Sequence, residues 1–206
     1  MICIIDYGVG NLFSLKSSLA HLGLEAKVSA DAADIRAADR LILPGVGAFG
    51  DAMAKLEATG LVPVIKEEAA QKPLLGICLG MQLLFEKSYE FGEHAGLGLL
   101  RGSVVPMEGT IPAELKIPHI GWNALHKTRP HPLLQALDEG TCVYFVHSYY
   151  AADCEDSVIA ATDYGRELTA AAARENVMGC QFHPEKSGEA GLAILRTFCE
   201  EEWKPC

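Results

Sequence analysis

The chain has 206 residues, half of them hydrophobic, which is enough for one sizeable core, and its 27 acidic and 17 basic side chains give a formal net charge of −10. A surface that acidic repels phosphate backbones and argues against nucleic acid as a partner, while a local basic patch could still receive a small anionic substrate. No apolar run reaches the roughly 18 to 20 residues of a membrane span, and "MICIIDYGVGN" at the start has neither a basic lead nor a cleavage signature, so neither a membrane segment nor a signal peptide is expected.

In chain order, "MICIID" reads as a short apolar strand, followed by helical spacing from Leu12 to Leu22. "LEAKVS" is a second strand and "ADAADIRAA" a short helix. "RLILPG" is a third strand, with helical material from Phe49 to Gln71. "PLLGIC" is a fourth, leading into a helix over "LGMQLLFEKS". Strands alternating with helices predict βαβ units, and near-continuous apolar strands suit a sheet covered on both faces. The second half is mostly strand-like: "LGLLRGSVVPM", "PHIGWNALH", "TCVYFVHSYYA", "SVIAATDY", "ELTAAAAREN" and "VMGCQFHP", with turn signals between several of them. A last helix is expected from Gly188 to Glu201. The reading is a single α/β domain over 1–206. It has a mainly parallel central sheet flanked by helices and an antiparallel portion added in the second half. No linker, repeat or low-complexity tract interrupts it.

Seven cysteines, Cys3, Cys78, Cys142, Cys154, Cys180, Cys199 and Cys206, form an odd set without C-x-x-C spacing. This argues against a disulfide framework or zinc ribbon and for reduced thiols in a cytoplasmic protein. All except Cys78 read as buried small hydrophobes. "DYGVGN" offers only Gly8-x-Gly10, with Phe13 where a dinucleotide fingerprint needs its third glycine, so a tight strand-to-helix turn is the better reading.

The chemistry concentrates at "Gly76-Ile77-Cys78-Leu79-Gly80", the thiol version of a G-x-S-x-G nucleophile elbow. A sharp strand-to-helix turn would lift the thiol above the sheet edge, and the helix N-terminus behind it would favour thiolate. A base is then needed. Of seven histidines, His21, His94, His126 and His131 are expected at the surface, while His119, His147 and His183 adjoin strand ends, where parallel sheets build their sites. In "Phe182-His183-Pro184-Glu185", extended backbone before Pro184 would place His183 and Glu185 on one face, where a carboxylate can fix the imidazole tautomer. The loop "PGVGAFG" after the third strand could supply an oxyanion donor, with the Leu79 amide as a second.

With "PGVGAFG", "GICLGMQLLFE" and "FHPEKS" in this order over nearly the whole chain, the sequence resembles the class I, triad-type glutamine amidotransferases, which have a flavodoxin-like core. Within that class it is most similar to the glutaminase-subunit family of imidazole glycerol phosphate synthase, on "DYGVGNLFS", "PHIGWN", "YFVHSYY" and Lys186 directly after Glu185. The resemblance implies Cys78 as nucleophile, His183 as general acid and base and Glu185 as its orienting partner. It implies an oxyanion hole from Leu79 and the Gly45–Val46–Gly47 strand, which in this family needs a peptide rearrangement. Gln82 and Glu90, with the backbone of His147, Ser148 and Tyr149, would clamp the ends of L-glutamine; Glu86 and Glu93 compete with Glu90. Glutamine would be hydrolysed through a cysteine thioester, with neither metal nor cofactor.

The resemblance also implies a partner. Ammonia would pass to a separate (β/α)₈-barrel cyclase subunit, in a heterodimer that makes imidazole glycerol phosphate and an aminoimidazole carboxamide ribonucleotide in histidine biosynthesis. Asn11, Ile120, Trp122, Tyr144 and Lys186 would lie near that interface. The glutaminase of pyridoxal phosphate synthesis fits less well, because its Gly-Gly-Glu-Ser motif is absent from the loop. A related thiol hydrolase or chaperone-like protein would not need the His-Pro-Glu segment, and a non-enzymatic subunit would not need Cys78, His183 and Glu185 intact.

Overall fold

The computed structural model describes residues 1–203; Cys206, one of the expected buried cysteines, lies outside the described residues. The first half alternates strands and helices in the order β1 (Ile2–Ile5), α1 (Leu12–His21), β2 (Ala26–Ser29), α2 (Ala32–Ala37), β3 (Arg40–Gly45), α3 (Phe49–Ala58), α4 (Val62–Ala69), β4 (Leu74–Cys78) and α5 (Leu79–Leu83). Short strands β5 (Lys87–Ser88) and β6 (His94–Ala95) follow, then β7 (Ser103–Pro106), β8 (His119–Ala124), β9 (His126–Lys127), β10 (Cys142–His147), β11 (Tyr149–Ala152), β12 (Val158–Asp163), β13 (Glu167–Arg174), β14 (Val177–Cys180) and α6 (Gly188–Glu200).

The eight-stranded main sheet has the order β2-β1-β3-β4-β14-β13-β12-β9. Strands β2, β1, β3, β4 and β14 run parallel, which is the 2-1-3-4-5 order of flavodoxin-like sheets, and β13, β12 and β9 extend it antiparallel. Alternation along each strand builds the two halves of the core. Cys3, Ile5, Leu41 and Leu43 face the layer containing α2 to α5, whereas Ile2, Ile4, Ile42 and Ile77 face α1 and α6 with Phe145, Phe182 and Phe198. Two smaller pieces, the antiparallel β8–β10 pair and the mixed sheet β11-β7-β5-β6, in which β5 and β7 run parallel, stand over the site. No helix among the described residues is long and apolar enough to cross a membrane.

Several sequence expectations are corrected. The helix expected over Phe49–Gln71 is two helices, broken at Gly60, whose φ of +71° leaves the helical region. The helix expected over Leu79–Ser88 ends at Leu83, because the carbonyls of Leu83, Leu84 and Phe85 accept the amides of Leu97, Leu99 and Gly98 instead of continuing their own turn. The strand expected over "TCVYFVHSYYA" divides at Ser148 into β10 and β11, which belong to different sheets. Strand β14 pairs with β13 as a hairpin, but its other edge pairs in parallel with β4, so a second-half strand completes the parallel core. Among the cysteines, Cys3, Cys154 and Cys180 are buried, but Cys142 is exposed and Cys199 only half-buried; the described cysteines other than Cys78 are likewise free thiols. Of the histidines expected at the surface, His94 and His131 are half-buried, the latter stacked on Trp203 at 5.7 Å.

The contact of β3 with the start of α5 tolerates no side chain at Gly80, where a Cβ would lie 1.8 Å from the Leu43 carbonyl oxygen. Gly80→Ala is expected to cost at least about 2 kcal/mol, read as a lower urea midpoint, because rigid backbone has no room to yield; an unchanged midpoint would show that this contact is not fixed.

Candidate active site

Cys78 ends β4 with φ +54° and ψ −112°, a conformation that costs a residue with a side chain about 1 to 3 kcal/mol. The surrounding backbone holds it there. A Cβ on Gly76 would lie 2.6 Å from the Gly80 carbonyl oxygen, and one on Gly45, which pairs with Cys78 across β3 and β4, would lie 2.6 Å from the Gly80 nitrogen. The turn delivers the thiol to the wall of a cavity of about 360 Å³, past the carboxyl ends of β3 and β4. Val46, Gly47, Leu79, Gln82, Glu90, Pro118, Val146, His147, Ser148, Tyr149, His183 and Lys186 complete its lining. Gly45 is not on this wall; it packs beneath, against Leu79 and Gly80. Because α5 has only five residues, the dipole expected to favour the thiolate shrinks to the free amides of its first turn. A larger hollow of about 640 Å³ elsewhere contains Arg129 and Arg166, but Arg129 donates to the Asp156 and Ala173 carbonyls and Arg166 lies over the Tyr150 ring.

His183 and Glu185 are 2.8 Å apart, from Nδ1 to Oε1, in a buried contact. They do not meet through a continuous extended strand: His183 is extended, but Pro184–Lys186 form one 3₁₀ turn that brings the carboxylate back. Both main-chain groups of His183 are tied to β10. Its amide donates to the Tyr144 carbonyl at 2.9 Å, and its carbonyl accepts from Ser187 Oγ at 2.7 Å, while that Oγ accepts the Tyr144 amide at 3.0 Å. Among the described residues His183 Nε2 has no hydrogen-bond partner. Burial alone would lower the His183 pKa, but the Cys78 sulfur and the Glu185 carboxylate outweigh it and raise it to about 9. A thiol, an orientable imidazole and a buried carboxylate can together perform nucleophilic attack and proton transfer.

Gln82 is buried, and its Nε2 donates to the Tyr149 carbonyl at 3.1 Å and to Gln181 Oε1 at 3.0 Å, leaving Oε1 for a ligand. Glu90 reaches the cavity by accepting the Phe49 amide at 2.6 Å; burial raises its pKa, opposed by that amide. Its competitors are engaged elsewhere, Glu86 on the Gly102 amide and Glu93 on Lys87. His147 Nδ1 lies 2.9 Å from the Tyr149 carbonyl and must donate to it, so the neutral ring accepts at Nε2 from His119 Nδ1, 3.1 Å away. His119 is stacked between Phe145 and Tyr164, with centroids at 5.0 and 4.0 Å. The sequence reading assigned no role to Gln181, which is fully buried with Nε2 3.8 Å from Cys78 Sγ. The available signal was a polar residue inside the apolar run "VMGCQF", which is costly to bury without partners.

Of the expected interface residues, Trp122 and Tyr144 are a cross-strand pair with ring centroids 6.2 Å apart, and Lys186 Nζ lies 5.8 Å from the Tyr144 ring. Ile120 and Trp122, 58% and 56% exposed, share one side of β8. Asn11 caps α1 by accepting the Ser14 amide, and it borders a narrow cleft with Gly45, Val46, His183 and Glu185. Among the described residues no group of three or more His, Cys, Asp or Glu side chains could hold a metal ion.

Fold and sequence together define the class: the chain belongs to the class-I glutamine amidotransferase family, whose profile matches residues 3–201. More narrowly, it is 51% identical over 203 residues to the Syntrophotalea carbinolica protein named imidazole glycerol phosphate synthase subunit HisH, covering 96% of this chain and 98% of that one. It is 53% identical over 201 residues to the protein of the same name from Sulfurimonas denitrificans, covering 96% and 97%. The fold is shared with a crystal structure of a glutamine amidotransferase (TM-score 0.75, 20% identity, 97% and 98% coverage) and with PurLQS from Thermotoga maritima (TM-score 0.72, 23% identity, 96% of each chain).

The two buried rings give a stability prediction. Burial, first among the causes, lowers the pKa values of His119 and His147 from 6.5 to about 4. Between those values the unfolded chain binds more protons than the native one, so stability falls as pH drops through that window. His183 has the opposite sign: its contribution is complete below 6.5 and is lost as pH rises toward about 9. The urea midpoint is therefore expected to fall from pH 6.5 to pH 5, and to fall less in His119→Phe. An equal fall in that variant would show that the ring pair does not govern the acid limb.

Proposed function

We propose that this chain, as one catalytic domain, hydrolyses L-glutamine at Cys78 and supplies the ammonia to the cyclase subunit of an imidazole glycerol phosphate synthase, in the cytoplasm. The convergence in one cavity of a strained thiol with His183, buried against Glu185 and raised in pKa, carries the hydrolytic part. The near full-length similarity to proteins named as subunits of that synthase supports the acceptor.

In this mechanism the Cys78 thiolate attacks the side-chain amide carbon of glutamine. The oxyanion is met by the Leu79 amide and by one from the Gly45–Val46–Gly47 segment, each donor being worth roughly 10² to 10³ in rate. His183 protonates the departing ammonia as the tetrahedral species collapses to the γ-glutamyl thioester, and Glu185 holds the imidazole through Nδ1. Water, deprotonated by His183, then releases glutamate and restores the thiolate. Gln82 and Glu90 meet the α-ammonium, and the backbone of His147, Ser148 and Tyr149 meets the α-carboxylate. The partner is a separate (β/α)₈-barrel in a heterodimer, seated over Ile120, Trp122, Tyr144 and Lys186 with Asn11 at the margin; Ile120 and Trp122 are exposed, and Lys186 also lines the cavity.

The protein alone is expected to hydrolyse glutamine very slowly and to be strongly accelerated by the cyclase with its nucleotide ligand; an equally fast lone subunit would contradict this coupling. Cys78→Ala is expected to abolish glutamine-dependent synthesis while sparing synthesis from added ammonium. Loss of both activities would place Cys78 in folding or in the acceptor site.

A further inference from the structure

We propose that the side-chain amide of Gln181 is a further catalytic group, donating an N–H to the Cys78 sulfur and holding it as the attacking anion. This rests on the reading of Cys78 as the nucleophile. The Tyr149 carbonyl can only accept, so the Gln82 atom 3.1 Å from it is the amide nitrogen. That nitrogen is also 3.0 Å from Gln181, so the Gln181 atom facing it is the oxygen. The other end of the Gln181 amide is therefore its NH₂, directed at Cys78 Sγ 3.8 Å away, a span within reach of a large, polarisable sulfur. His147 Nδ1 lies 2.9 Å from the same Tyr149 carbonyl, which thus accepts from both Gln82 and His147.

The surroundings give this donor its importance. Gln181 is fully buried, so no water takes its place when the sulfur ionises. The Val146 carbonyl, 3.9 Å from Sγ, accepts from the thiol S–H and opposes the anion. The titratable groups around the sulfur are His183, backed by Glu185, Tyr7, whose hydroxyl donates to the Pro44 carbonyl at 2.7 Å, and His147, Glu90 and Lys186 on the same cavity wall. Gln181 is thus a neutral donor that does not depend on the protonation of any of these, and it sets sulfur, Gln82 and the Tyr149 corner in one rigid line.

The test follows iodoacetamide alkylation of the Cys78 peptide by mass spectrometry across pH, in the unmodified protein, in Gln181→Glu, which exchanges only NH₂ for oxygen, and in Gln181→Met, which removes both polar ends; circular dichroism checks folding. In Gln181→Met the rate at neutral pH is expected to fall about tenfold and the midpoint to rise about one pH unit. Gln181→Glu, with a carboxylate against the sulfur, is expected to fall further. If one variant does not fold, the other carries the test. A pH profile unchanged in a folded variant, in a protein whose Cys78 does alkylate, overturns the role of Gln181 alone. A Cys78→Ala protein that remains a glutaminase overturns the nucleophile reading itself.

Discussion

The site depends on a steric fact at the end of β4: the first turn of α5 lies against the backbone of β3, with nothing between them. Gly80 meets the Leu43 carbonyl, Gly76 meets the turn of α5, and Gly45 meets Gly80, each at a distance that excludes even a methyl group. This contact forces Cys78 into positive φ and carries its side chain away from the sheet into the cavity. The strain of order 1 to 3 kcal/mol persists because two apolar layers over-determine the strand positions. The same closeness puts Val46, Gly47 and Leu79 on the cavity wall with Cys78.

A second organising element is the Tyr149 carbonyl. It accepts from His147 and from Gln82, so two polar branches leave one backbone oxygen. One runs through Gln82 and Gln181 to the sulfur. The other runs through His147 to His119 on β8, whose opposite side carries the exposed Ile120 and Trp122. On the far side of the cavity, the His183 backbone is held to Tyr144, the cross-strand neighbour of Trp122. Groups around the reacting centre are therefore tied by short hydrogen bonds to the strands that present the exposed rings. In a buried setting such chains are stiff, because each unmade bond is costly.

What the sequence made legible was local. The βαβ alternation, the Gly-x-Cys-x-Gly elbow and the His-Pro-Glu segment each have a signature within a few residues. Features set by partners distant in sequence were not. The end of α5 is decided by amides of Leu97 to Leu99, and the parallel edge of β14 by β4, about a hundred residues away. Of Glu86, Glu90 and Glu93, it is Glu90 that lines the cavity, where it accepts the Phe49 amide from a distant helix start. Gln181 is not legible because a lone polar residue at the end of an apolar run signals a network without naming its members.

On the function we propose, the Cys78 sulfur bonds covalently to the substrate. The most direct measurement is acid quenching of the protein with its cyclase partner during glutamine turnover, followed by peptide mass spectrometry. A γ-glutamyl adduct confined to the peptide containing Cys78, and lost when glutamine is exhausted, is the predicted result. Turnover at full rate with the adduct on another residue, or with Cys78 blocked, would contradict it.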